Sequence, residues 1–133
     1  MSFPSPTVPL FVYGSLRPGM ELWSAIEAHV DHVTPASAAG RLHWHVGGQW
    51  PLLVSGGSGR VRGDLLALRP GDEVNRVIVD EELRYGYDAR WVRVLTDDGD
   101  EVEALVLLWP RTSEVGPLIA GGDFSGARFP GPA

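Results

Sequence analysis

The sequence predicts an α+β fold: a small mixed or antiparallel β-barrel with flanking helices. Three observations point there. Strand-forming runs outnumber helical ones, two segments have the form of apolar arms around a glycine turn, and most of the strands are short enough for a closed or strongly curled sheet. At 133 residues the chain is one domain by length, with room for one hydrophobic core. A single unit over 1–133 is expected, with 1–8 and about 121–133 as loose termini.

The elements follow in order. Residues 9–13 form the first strand, in which Leu10, Phe11 and Val12 suit a buried position. "MELWSAIEAHV" places Leu22, Trp23, Ile26 and Val30 on one face of a short helix, with Glu21 near its positive end. "AGRLHWHV" alternates as a second strand. "WPLLVSGGSGRVRGDLLAL" is predicted to be a hairpin around the glycine-rich stretch 55–59, with Arg60–Leu68 as its better arm. Pro70-Gly71 then breaks the chain, and Asp72 caps a helix that carries Val74, Val77 and Ile78 on one side and ends near Gly86. Residues 91–95 and 102–109 form a second hairpin, turned at Asp98-Gly99. The glycine- and proline-rich end is a loop or tail that tucks Leu118, Ile119 and Phe124 against the body.

Composition removes whole classes of function. There is no cysteine, hence no disulfide framework, thiolate metal site or cysteine nucleophile. All 11 cationic side chains are arginine, so Schiff-base chemistry and a phosphate-loop lysine are absent. A net charge of −6 argues against nucleic acid, whose phosphates require clustered cations. No apolar run approaches the ~20 residues of a membrane span. "MSFPSPTVP" has neither the basic nor the apolar region of a signal peptide, and a cytoplasmic location is expected.

Few constellations remain that carry chemistry. His43 and His45 share a strand face, and His29 and His32 lie near a helix end, but two histidines per face fall short of a zinc ligand set, so no metal is expected. Ser15 in "YGSLRPG" has neither a nucleophile elbow nor a lysine to activate it, and reads as a turn residue. "SGGSG" joins two strands instead of opening a helix, so it lacks the dipole of a phosphate loop. The acidic run "VDEEL" is ordinarily a solvated face. Yet a helical turn of about 100° per residue sets Glu81 and Glu82 on or beside the Val74, Val77 and Ile78 side. A carboxylate near apolar surroundings moves toward the pKa range of a general base.

Several segments together resemble one family, the γ-glutamylcyclotransferase-like or AIG2-like proteins. "FVYGSLRPG" is similar to the family's YGSL or YGTL loop after its first strand, and "VRGDLLAL" to its V-x-G-x strand. "DEEL…GYDARWVRV" resembles its acidic helix followed by a turn, a tyrosine, an arginine and a strand. "IAGGDFSG" is similar to its tail of small residues, Gly-Asp and an aromatic. The resemblance implies a small barrel with flanking helices, a cavity closed on one side by the YGSL loop, and cyclisation of a γ-glutamyl amide or peptide to 5-oxoproline with release of an amine or amino acid. It implies no cofactor. The partner is then a small γ-glutamyl molecule, with the protein a monomer or homodimer.

By the same resemblance Glu82 is the base, and Tyr13, Gly14, Ser15 and Leu16 present backbone donors to the substrate. Gly14 also lets the backbone approach a ligand closely. Arg17 would add a positive charge for an acidic substrate, and Trp50-Pro51 corresponds to the family's aromatic-proline step and would wall the pocket. Tyr87 and Arg90 match a tyrosine and an arginine of the family that are structural in character, with Tyr87 also counted among the substrate-binding residues. Trp44, Trp50 and Trp109 are either core or the lining of a leaving-group pocket. One departure stands out: family members place glycine after the catalytic glutamate, whereas Leu83 follows Glu82. Helical periodicity favours Glu81 as the inward residue, and the spacing to Tyr87 and Arg90 favours Glu82. Two readings stay open: a cyclotransferase, or a non-catalytic small-molecule-binding or regulatory member of the same superfamily.

Overall fold

Five strands close into a barrel in the computed structural model, which describes residues 8–14, 16–48, 50–69, 86–111, 113–125 and 127–128. The barrel order is β1 (Val8–Val12), β5 (Arg60–Leu68), β2 (Val30–Ala39), β6 (Asp88–Thr96) and β7 (Glu101–Leu108). Every neighbour in that order is antiparallel, and a parallel bridge between Leu10 and Leu105 returns β7 to β1. A second sheet of three antiparallel strands runs β4 (Pro51–Val54), β3 (Arg41–His45), β8 (Val115–Leu118). The mixed barrel that the sequence predicts is present, and the described chain is mainly β.

Alternation along the strands builds the interior. Phe11 and Tyr13 from the β1 end, Ala36 and Ala38 from β2, Val61, Val94, Ala104 and Val106 form one buried cluster with Leu42, Trp44 and Leu53 of the small sheet. Five strands enclose little room, so the alanines face inward where Phe11 takes up the space. On the outside, Leu10, Leu66 and Leu68 are covered by Ile26 and Trp23 of α1 (Trp23–Ile26). The tail contributes too: Ile119 is buried, and Phe124 meets Trp44 edge-on with ring centroids 5.2 Å apart, while Leu118 stays exposed.

The structure departs from the sequence expectations at three places. The first helix is a single turn, followed by a 3-10 turn at Glu27–His29, and Val30 begins a strand instead of ending a helix. That strand, β2, was not expected, since its inward residues are alanines and it contains Pro35. The proline is tolerated because it stands past the last rung of the β2–β6 ladder at Ala36 and Thr96, at the end of that edge, where its carbonyl still accepts the Asp97 N–H at 2.9 Å. The stretch 50–68 is not a hairpin: β4 pairs with β3, whereas β5 pairs with β1 and β2. The glycines between them carry the chain from one sheet to the other, with the Gly40 N–H held on the Gly59 carbonyl at 3.0 Å. The 91–109 hairpin forms as expected, with the Gly99 N–H on Thr96. The predicted helix from Asp72 lies outside the described residues, apart from its end at Gly86.

Gly63 shows why "VRGD" takes that form. A Cβ there would collide with the Val12 carbonyl and sit 2.7 Å from Phe11 Cζ, both in the crowded barrel wall. Gly63→Ala is expected to cost about 2–3 kcal/mol, the usual range for overpacking, and to lower the melting temperature accordingly, as read by circular dichroism.

Candidate functional site

Strand β1 ends because the next residues turn. The Arg17 N–H closes on the Gly14 carbonyl at 3.0 Å, and the Met20 N–H closes on Arg17 at 2.9 Å, so consecutive turns lead into α1. Beside the first of these turns lies a cavity of about 70 Å³. Among the described residues it is lined by Phe11, Val12, Tyr13, Gly14 and Leu16 from β1 and its turn, Trp50 and Pro51 from the start of β4, Tyr87 before β6, and Leu107 of β7.

Each of these positions has a local reason. The Tyr13 hydroxyl donates to the Leu107 carbonyl and accepts the Leu53 N–H at 3.3 Å, which ties β1 to β7 and to the small sheet. The Tyr87 hydroxyl donates to the Pro51 carbonyl at 2.7 Å, and its ring meets Trp109 edge-on at 5.3 Å. Gly14 lies against Pro51 so closely that a Cβ would come within 2.9 Å of the ring, which is a reason for glycine alongside the ligand approach expected from the sequence.

Six expected site residues therefore meet around one cavity: Tyr13, Gly14, Leu16, Trp50, Pro51 and Tyr87. Ser15, Glu81 and Glu82 lie outside the described residues. Arg17 points elsewhere. Its Nε contacts Asp64 Oδ2 and its Nη1 contacts Asp123 Oδ1, each at 2.8 Å, so one guanidinium joins the turn, β5 and the tail. Burial works against its charge, but the hydrogen bonds to the two carboxylates outweigh this and hold its pKa above the ordinary value. Burial likewise opposes the charge on Asp123; the Ser125 N–H and Arg17 outweigh it, and the carboxyl lies below its usual range. Arg90 sits on the surface, paired with Asp88. Of the tryptophans, Trp50 lines the cavity, Trp44 belongs to the core, and Trp109 is buried against Tyr87 with Arg111 over its ring at 4.6 Å.

The histidines have separate partners: His43 Nδ1 meets the Gly116 carbonyl and His45 Nε2 meets Glu114. No group of three metal-ligating side chains occurs among the described residues. Within the same residues, no helix is long and apolar enough to cross a membrane.

The family profile described as "Gamma-glutamyl cyclotransferase, AIG2-like" matches residues 10–126, which span the turn, the cavity and the tail aspartate. The chain belongs to this family. Comparison with curated protein sequences finds no match. Among solved structures, an uncharacterized protein of Pyrococcus horikoshii is 25% identical, with a TM-score of 0.65 over 90% of this chain and 92% of that one. An AIG2-like protein of Mus musculus is 19% identical, with a TM-score of 0.61 over 77% of this chain and 76% of its own. A structure titled "Gamma-glutamyl cyclotransferase" is 17% identical, with a TM-score of 0.59 over 85% and 70%. At these identities the last two show a shared fold.

The pairing of Asp64 and Asp123 with Arg17 is not legible in the sequence, although both stand in segments similar to those of the AIG2-like family. An arginine beside a turn in an acidic chain was the available signal. Phe11, Val12 and Leu107 line the cavity as well, and their apolar character marks them in the sequence only as core.

Two outcomes are expected. Tyr13→Phe leaves the Leu107 carbonyl and the Leu53 N–H without their partner, and should cost about 1–3 kcal/mol in urea unfolding. For Asp123, a depressed folded-state pKa makes the stabilisation fully present above the unfolded value near ~4 and lost as the pH falls through the lower folded value. Asp123→Asn should thus lower the melting temperature at neutral pH, with the gap to the native protein closing below about pH 4.

Proposed function

We propose that this AIG2-like protein is a γ-glutamyl cyclotransferase. The observation that carries the reading is a coincidence in space: the family's loop, its aromatic-proline step and its tyrosine converge on one cavity in a chain that matches the family over residues 10–126. The reaction closes a C–N bond between the substrate's α-amine and its own γ-carbonyl and breaks the bond to the leaving amine. A proton leaves the ammonium and one is delivered to the departing nitrogen. The products are 5-oxoproline and a free amine or amino acid.

Three tasks follow for the protein. A base accepts the ammonium proton, and we assign this to Glu82, with Glu81 as the alternative. Backbone N–H groups of the turn Tyr13, Gly14, Ser15 and Leu16 stabilise the oxyanion that develops on the γ-carbonyl, where fixed donors act without reorganisation. Trp50, Pro51 and Tyr87 hold the substrate folded, so that the amine lies near the carbonyl it attacks. Arg17 serves the site indirectly, by fixing the turn. The cavity's described lining carries no charged side chain, which suits a leaving group with an apolar portion. Leu83 after Glu82, where family members have glycine, favours the second reading, a binding domain without turnover.

Incubation with a panel of γ-glutamyl amides and peptides, read by mass detection of 5-oxoproline, tests the proposal. Glu82→Gln is expected to fold normally and lose about 10²–10⁴-fold in rate, the usual worth of a general base. Inactivity confined to Glu81→Gln moves the base by one residue. If the double variant turns over at the native rate, the mechanism is wrong. A γ-glutamyl compound that raises the melting temperature yet is recovered intact establishes the binding reading instead.

A further inference from the structure

Packed against Trp50, which lines the cavity, stands a histidine with a defined proton position. The Gly47 N–H donates to His45 Nδ1 at 3.0 Å, so Nδ1 carries no proton in the neutral ring; Nε2 carries it, and donates to Glu114 Oε2 at 2.9 Å. The His45 ring lies 4.7 Å from that of Trp50 and 6.0 Å from that of Trp109. Its backbone N–H donates to the Trp50 carbonyl at 2.9 Å, and its carbonyl accepts the Gly48 N–H at 2.7 Å. One residue thereby fixes both ends of the β3–β4 connection and packs against the indole of Trp50.

Glu114, the partner in this contact, has a backbone conformation that residues with a side chain seldom adopt. Its φ of +65° is the only positive value at a non-glycine among the described residues. Glycine would take that conformation without strain and would still offer the carbonyl that accepts the Val46 N–H at 2.8 Å. What glycine lacks is the carboxylate. Strain kept at one residue, with its side chain directed at the group that backs a cavity wall, is the pattern of a functional constraint.

We propose that His45 and Glu114 are positioning residues: their hydrogen bond sets the orientation of the Trp50 ring and, through it, the shape of the cavity and its affinity for the substrate. The proposal rests on the γ-glutamyl reading for its substrate but not for its geometry. Neither residue is among those that line the cavity.

The test uses the full chain and four variants. Glu114→Gly removes the carboxylate and relieves the backbone, whereas Glu114→Gln keeps an acceptor for Nε2–H. His45→Asn keeps an acceptor for the Gly47 N–H alone, and His45→Gln keeps a donor for Glu114 alone. Long-range ¹H–¹⁵N spectra of the imidazole should show the Nε2–H tautomer, and the Trp50 indole resonance, assigned with Trp50→Phe, should shift in Glu114→Gly and return in Glu114→Gln. Glu114→Gly should melt at the native temperature or above, yet raise KM for the γ-glutamyl amide by about tenfold, with kcat within about twofold. His45→Asn should behave like Glu114→Gly, and His45→Gln should lie closer to the native protein. A purely structural pair would instead lower the melting temperature and leave KM alone, which overturns the proposal, as does an Nδ1–H tautomer or an unmoved indole resonance. Absence of turnover in the native protein counts against the cyclotransferase reading only, because the indole and imidazole resonances decide the positioning role without substrate.

Discussion

The structure depends on a single guanidinium shared between two carboxylates. Arg17 leaves the turn after β1, crosses to Asp64 on β5 and reaches Asp123 in the tail, so that three segments far apart in sequence are fixed at one point. A half-buried cation with one carboxylate would still be poorly offset; with two, and with the Ser125 N–H bound to Asp123, the charges are matched. The arrangement explains why "YGSLRPG", "VRGD" and "GGDF" occur in one chain. Each supplies one corner of the same contact, and Gly63 beside Asp64 lets β5 come close enough to β1 for it to form. The positive charge next to the cavity is consequently engaged by the scaffold.

The cavity lies on the seam between the barrel and the three-stranded sheet. Tyr13 and Tyr87 bridge that seam through hydroxyls, one accepting the Leu53 N–H and the other donating to the Pro51 carbonyl, and the Trp109 backbone N–H reaches the Leu53 carbonyl at 2.9 Å. The second sheet is thus the support that carries Trp50 and Pro51 to the mouth of the barrel. Tyr87, Trp109, His45 and Trp50 form a run of aromatic contacts along it, with Arg111 over one face of Trp109. Aromatic rings hold such a wall with few rotatable bonds and large contact area, which suits a surface that must keep its shape.

How much of this the sequence discloses depends on whether the deciding contact is local. The 91–109 hairpin was legible because its turn and both arms are contiguous, and the loop after β1 because its glycine, arginine and proline depart abruptly from an apolar strand. The cavity residues 13, 14, 16, 50, 51 and 87 could be named through resemblance to a family, since nothing in their spacing brings Trp50 toward Gly14. β2 was hidden for a steric reason: a narrow barrel wants alanine at its inward positions, which erases the hydrophobic alternation that identifies a strand. The false hairpin at 50–68 failed because a glycine-rich link looks the same whether it turns a strand back or passes it to another sheet. The pairing of Arg17 with Asp64 and Asp123 was out of reach for the same cause, as charge partners 47 and 106 positions away leave no local pattern.

The bridge between Leu10 and Leu105 bears on how this chain comes into being. β1 precedes both of its neighbours along the chain, with β5 from residue 60 onward and β7 from residue 101 onward, so it is made before either. β1 therefore waits, apolar and unpaired, until β5 is made, and keeps one edge open until β7 follows. The β6–β7 hairpin needs no distant partner and supplies the edge on which the barrel closes. The strand is fully sheltered only once β7 is in place, and until then its open edge is the one a chaperone would have to guard.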